Sequence, residues 1–222
     1  MCALPAYASP ATYPPPVSEA AYLAFDAASE ARCEFWDGEI VAMAGESFNH
    51  AVVKDDLVAA MRSRFPGCTV LSASLRVQAP GYKKSNYAYP DALVTCEPEQ
   101  FDDTHQPPTL LNPTLLVEVT SDSTRSVDMD AKLQAYFLIE SLREYWVVDP
   151  DRPHVLRYVR PDPQASGLAV IHLANDPDGV LTSALLTEPI PLADIYARTV
   201  AAERTVSVEH EEPEDDAFRE DR

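Results

Sequence analysis

Two acids stand where their neighbours favour burial. In the run Thr114-Leu115-Leu116-Val117-Glu118-Val119, Glu118 interrupts a stretch that reads as a strand buried on both faces. Asp91 opens a second apolar run, Ala92-Leu93-Val94, directly after Pro90. A lone carboxylate inside such a strand is costly unless it is paired or bound to a cation, so something positive must sit beside Glu118. The sequence offers two sources, a divalent metal and the ammonium of Lys132. Lys132 shares one face of a helix-patterned segment with Asp128 and Tyr136 at spacings of four. Acids converging from neighbouring strands suit a hard cation with oxygen ligands, and a lysine beside them can steer or activate water. That combination is the chemistry of metal-assisted hydrolysis.

Each residue has a plainer reading as well. Asp91 after a proline can be a turn or cap residue. Glu118 can be half of a buried ion pair with an arginine or lysine, and Lys132 can pair with Asp128 on the helix surface. Glu34 alternates with Cys33 and Phe35 in a strand and can face either the site or solvent. His50 lies at a helix start, where a neutral histidine serves as a cap, a packing residue or a functional group. Tyr145 and Trp146 read as core aromatics without a chemical role.

The elements that must position these residues are marked by capping and turn signals. Ser18 followed by Glu19 caps a first helix, and Asp37-Gly38 in ARCEFWDGEIVAMA joins two strands as a hairpin. Ser47 or Asn49 caps a helix with apolar Val52, Val53, Leu57, Val58 and Met61, which stops at Pro66-Gly67. Strands follow over 68–79, 88–95 and 114–120, then a helix over 126–139 and a strand over 143–149. The predicted order is α-β-β-β-α-β. Three β-rich runs near 154–160, 168–174 and 180–187 predict an appended antiparallel meander. The fold class expected is α/β with a mixed sheet.

A chain of 222 residues with 46% hydrophobic residues can build one sizeable core. The expected organisation is a solvated, disordered tail over 1–17, one domain over 18–202 and a disordered acidic tail over 203–222. Cys2, Cys33, Cys68 and Cys96 form no C-x-x-C pair, which predicts reduced thiols and a cytoplasmic protein. The start lacks a basic n-region and no apolar run reaches membrane-spanning length, so no membrane partner is expected. The net charge of -19 argues against broad phosphate binding; without residues 203–222 it is still -13, from 27 acids and 14 bases. A nucleic-acid enzyme with this balance must work through metal ions and a small basic patch.

From about Ala31 to Pro150 the sequence resembles the putative restriction endonuclease family of the PD-(D/E)XK nuclease superfamily. The matching stretches are ARCEFWDGEI, SFNHAVV, YPDALV, LLVEVTSDST, DMDAKLQAY and SLREYWVVDP. The resemblance implies a restriction-endonuclease-like core with Asp91 and Glu118 as metal ligands and the Val119 backbone carbonyl as a further donor. It implies Mg²⁺, or Mn²⁺, as cofactor. The superfamily's usual lysine, two residues after the glutamate, falls here on Thr120, which makes Lys132 its replacement from the following helix. By the same resemblance Glu34 lends a further carboxylate and His50 contacts the scissile phosphate. The expected function is metal-dependent endonucleolytic hydrolysis of phosphodiester bonds in DNA, with a homodimer left open. The alternatives are a catalytically silent relative that binds nucleic acid or protein, and an acidic partner-binding protein in which these residues form a structural ion-pair cluster.

Overall fold

A computed structural model of the chain describes residues 16–43, 45–72, 75–81, 84–120, 128–160, 169–173 and 178–200. Both expected tails lie almost wholly outside the described residues. Helix α1 (Glu19–Ala28) is capped by Ser18, whose hydroxyl accepts the Ala21 N–H at 3.2 Å, and it buries Tyr22, Leu23 and Asp26. Strands β1 (Cys33–Trp36) and β2 (Glu39–Ala42) form an antiparallel hairpin closed by the Trp36 and Glu39 pair. Asp37 and Gly38 at the turn have φ of 48° and 98°. Two consecutive positive φ values suit a two-residue hairpin turn, and few residues other than Gly, Asn and Asp supply them. Helix α2 (Phe48–Arg62) is capped by Ser47, not Asn49. Asn49 instead bonds the Asp151 side chain and the Val200 N–H.

The expected strand over 68–79 is two strands, β3 (Thr69–Ser72) and β4 (Arg76–Ala79), and that over 88–95 is likewise β5 (Asn86–Ala88) and β6 (Ala92–Thr95). The halves belong to different sheets. Next come β7 (Phe101–Asp102), β8 (Thr109–Leu110), β9 (Leu115–Val119), helix α3 (Asp128–Tyr136), β10 (Glu144–Val148), β11 (Val155–Val159) and β12 (Ala169–Leu173). The chain then forms β13 (Val180–Leu181), β14 (Ile190–Pro191) and the short helix α4 (Leu192–Tyr196). One sheet has the order β2-β1-β5-β4-β8-β7, the other β12-β11-β10-β9-β6-β3, and β13 pairs with β14 alone. The expected order α-β-β-β-α-β is therefore interrupted by two changes of sheet and by β7 and β8. The meander is shorter than expected: β11 and β12 extend the second sheet, whereas the third run yields only β13.

The break between β5 and β6 falls at Tyr89-Pro90-Asp91. Pro90 has no N–H to give a ladder, so a central strand cannot run through it. All residues from 86 to 95 are nevertheless buried, so the apolar pattern continues unbroken while the chain leaves one sheet for the other.

The second sheet is covered on both faces. Val53, Leu57, Val58 and Met61 of α2 and Ile195 of α4 pack with Val94, Leu115, Val117, Val119, Trp146 and Val148 on one side. On the other, Leu93, Leu116, Tyr145 and Val147 meet Ala135 and Tyr136 of α3 and Val77, Ala79 and Ala88 of the first sheet. Alternation along β9 sends 115, 117 and 119 to the first side and leaves 116 and 118 for the second.

Within the first sheet, a buried ion pair ties α1 to β4. Arg76 Nη1 lies 2.6 Å from Asp26 Oδ2, and their side chains are 0% and 1% exposed. Tyr89 donates to the same Asp26 oxygen at 2.6 Å, while Arg76 also donates to Thr109 Oγ1 and the Pro107 carbonyl. Removing one partner leaves a charge with nothing to answer it, so Arg76→Met should lower unfolding free energy by about 3–5 kcal/mol in urea melts. Asp26→Asn with Arg76→Met should recover part of that loss.

The expectation of reduced thiols is corrected. Cys68 and Cys96 form a disulfide, Cys33 is also disulfide-bonded, and no cysteine among the described residues is free. The pairing is invisible as a sequence motif because 28 residues separate the two. It follows from register: β3 and β6 are antiparallel with Thr69 opposite Thr95, so the next pair outward is Cys68 and Cys96. The double variant Cys68→Ser/Cys96→Ser should lose about 3.6 kcal/mol of stability, the loop-closure entropy of a ring this size. Wild type unfolded in guanidinium should show the Cys68 and Cys96 thiols to alkylation only after reduction, as read by peptide mass.

Candidate active site

Glu118 projects from β9 toward α3, and the helix answers its charge. Lys132 Nζ is 3.1 Å from Glu118 Oε1 and 3.0 Å from Glu34 Oε1. Tyr136, one turn further along the same helix face, donates to Glu118 Oε1 at 2.9 Å. The ammonium lies over the Trp36 ring, 5.8 Å from its centroid. Glu34 is itself held in place: its Oε1 accepts the Tyr89 N–H at 3.2 Å and its Oε2 the Trp36 indole N–H at 2.9 Å. The side chains of Lys132, Glu118 and Glu34 are 15%, 12% and 8% exposed, so neither a surface lysine nor a solvent-facing Glu34 describes them.

Burial drives the Glu118 pKa upward; the Lys132 charge opposes this, Glu34 and Asp91 add to it, and the result is about 7. Burial alone would lower the Lys132 pKa, but Glu118 and Glu34 outweigh it and hold the ammonium charged. The Tyr136 hydroxyl is raised by burial and then by Glu118, so it stays a donor to that carboxylate.

Asp91 sits where the chain enters the second sheet. The β6 and β9 register pairs Ala92 with Val117, and one step outward it places Asp91 opposite Glu118. Its Oδ2 accepts the Val119 N–H at 2.7 Å, so it does cap a strand end. Its Oδ1 is 3.0 Å from His50 Nε2. His50 occupies the first turn of α2, where its own N–H is taken by the Ser47 hydroxyl at 3.2 Å. Burial would lower the His50 pKa, but the hydrogen bond and charge of Asp91 reverse this and the net direction is up.

Two clusters thus meet at one peptide unit. Glu118 gathers Lys132, Tyr136 and Glu34, while Asp91, bonded to the next N–H at Val119, gathers His50. Among the described residues, the potential metal ligands that converge in a group of three are Glu46, His50 and Asp91, whose ligand atoms lie within 4.8 Å of one another. Their carboxylates and imidazole suit a divalent cation. Sequence reasoning missed Glu46, which sits in the loop before α2 without periodicity. The signals for it were its spacing of four from His50 and the contact with Asp91 that only the fold creates. Tyr136 was visible as a neighbour of Lys132 on its helix face. Val119 enters the site through its N–H. Tyr145 and Trp146 are fully buried, as core aromatics.

The fold is shared with a nuclease-type structure. It superposes on the crystal structure of a putative nuclease belonging to DUF820 from Anabaena variabilis with a TM-score of 0.57, covering 76% of this chain and 92% of that one at 18% identity. The family is given by the sequence: residues 20–187 match the model of Uma2, the putative restriction endonuclease family, and the chain belongs to it. An uncharacterized protein of Synechocystis sp. is 30% identical over 156 residues, 69% of this chain and 80% of its own length. A second uncharacterized Synechocystis protein is 29% identical over 135 residues, 60% of this chain and 75% of its own length. No helix among the described residues is long and apolar enough to cross a membrane.

The raised Glu118 pKa has a consequence for stability. Because the folded protein holds that proton more tightly than the unfolded chain, the stabilisation is full below the ordinary value of 4.5 and is lost as pH rises through about 7. Glu118→Gln mimics the protonated form at every pH. In chelator-treated buffer, the variant's stability relative to wild type should therefore rise on going from pH 4.5 to 7, by on the order of 3 kcal/mol. A difference that stays flat over this range would mean that Lys132 cancels the burial cost completely.

Proposed function

We propose that the protein is a metal-dependent endonuclease that hydrolyses phosphodiester bonds in DNA, using Mg²⁺ or Mn²⁺. What supports this reading is the position of Lys132: a buried ammonium from α3 reaches Glu118 and Glu34, next to the strand end that carries Asp91. Asp91 and Glu118 would hold the cation, opposite one another across β6 and β9. The bound cation would lower the pKa of a water and offset charge on the phosphate.

The chain's own residues do the rest. The Val119 N–H fixes one oxygen of Asp91 and the His50 ring fixes the other. Tyr136 keeps Glu118 turned toward the site. Lys132 holds a positive charge where the phosphate and attacking water must come together, and Glu34 keeps that ammonium from swinging to solvent. Thr120, at the superfamily's usual lysine position, is left without that task. On this reading the catalytic unit is residues 18–202, and its acidic balance is met locally rather than by a broad basic face.

The test is cleavage of plasmid and single-stranded DNA with and without Mn²⁺. Wild type should cut only with metal, and Glu118→Gln should not cut. Lys132→Met should lose roughly a hundredfold or more, the usual loss for a positioned electrostatic or proton-transfer group. Installing Lys at Thr120 in the Lys132→Met background should return part of the activity, since 120 and 118 point to the same face of the strand. Full activity in Lys132→Met would remove the lysine from the reaction. Inactive wild type with intact metal binding would favour the silent binding module.

A further inference from the structure

The Asp91 cluster carries more than the two-acid scheme uses. We propose that Glu46 and His50 join Asp91 as direct ligands of the cation, making a mixed nitrogen and oxygen site that takes Mn²⁺ in preference to Mg²⁺. This rests on the reading that Asp91 holds the cation.

The geometry meets the requirement for shared ligation. Ligands about 2.0–2.2 Å from one ion can lie no more than about 4.4 Å apart, and the three ligand atoms here are within 4.8 Å of one another, so a small side-chain adjustment closes the set. The three residues come from different places: Glu46 from the loop ahead of α2, His50 from its first turn, and Asp91 from the crossing between the sheets. Asp91 is 7% exposed and is aimed by the Val119 N–H, which engages Oδ2 and leaves Oδ1 on the His50 side. Glu46 is held at the surface by Lys54, whose ammonium lies 2.6 Å from its Oε1. That ammonium is the positive charge a bound cation would replace as the partner of Glu46.

The chemistry of the donors sets the preference. Mg²⁺ demands near-ideal octahedral oxygen coordination and keeps several waters, whereas an imidazole nitrogen suits transition metals better. Replacing one oxygen donor by His50 Nε2 therefore shifts the site away from Mg²⁺. Glu118, paired with Lys132 and Tyr136, would remain the acid that reaches the same ion from β9.

The experiment titrates the metal-free full chain with Mn²⁺ alone, following the free-ion electron spin resonance signal, and repeats it with Mg²⁺ as competitor. Wild type should bind Mn²⁺ more tightly than Mg²⁺, and its bound Mn²⁺ should show coupling to a nitrogen nucleus in pulsed spectra. Glu46→Gln and His50→Ala should each weaken Mn²⁺ binding at least about tenfold, the loss usual even for an outer-shell partner. His50→Ala should also abolish the nitrogen coupling. Glu46 is exposed, so its Gln variant keeps the test open if His50→Ala does not fold. Unchanged Mn²⁺ affinity in Glu46→Gln, a wild-type spectrum without nitrogen coupling, or no Mn²⁺ binding at all would overturn the proposal. DNA cleavage is measured separately: wild type that binds Mn²⁺ through nitrogen but never cuts DNA sinks the nuclease reading and leaves the ligand assignment standing.

Discussion

A carboxylate in the middle of a buried strand must be answered by a positive charge, and much of this molecule is arranged around that demand. Glu118 could not remain in β9 as an unpaired anion without a cost of several kcal/mol. Lys132 meets the demand only because α3 crosses from β9 to its parallel neighbour β10 and lays one face over the sheet. Tyr136 follows from the same helix face. The ammonium also pairs with Glu34, which brings in the hairpin strand β1, and it lies over the ring of Trp36 from that strand. The first sheet is therefore fastened to the second by apolar packing and also through this polar knot.

The site lies on a seam between differently built layers. On one side of the second sheet, α2 and α4 pack a large apolar cluster; on the other, α3 and the first sheet leave room for Glu118 and its partners. Asp91 belongs to neither layer, because the chain passes from one sheet to the other at that residue. Its two oxygens point to two elements, Oδ2 to the backbone of β9 and Oδ1 to α2, so it couples the helix side of the sheet to the polar side.

Much of this was legible in the sequence where a local physical rule applied. The Asp37-Gly38 turn needs two positive φ values, Ser18 and Ser47 are natural caps, and a lysine and tyrosine spaced by four must share a helix face. Glu118 was visible because it breaks an apolar run. What remained hidden depends on contacts between distant segments. Continuous burial from Asn86 to Thr95 masked the change of sheet at Pro90. Strands of two residues, such as β7 and β8, carry too short a pattern to register. Glu46 has no periodicity of its own and gains meaning only when the sheet crossing brings Asp91 to it. The cysteines, read for local spacing, concealed a pairing that strand register makes obvious.

That pairing closes part of the backbone into a ring. The covalent loop from Cys68 to Cys96 contains β3, β4, β5 and β6, and with them Arg76 and Asp91. A protease that severs one peptide bond anywhere inside this ring would leave both fragments attached through sulfur. The nicked polypeptide would stay one molecule under oxidising conditions, heavier only by the water of hydrolysis, and the acid at the sheet crossing would remain covalently joined to both fragments.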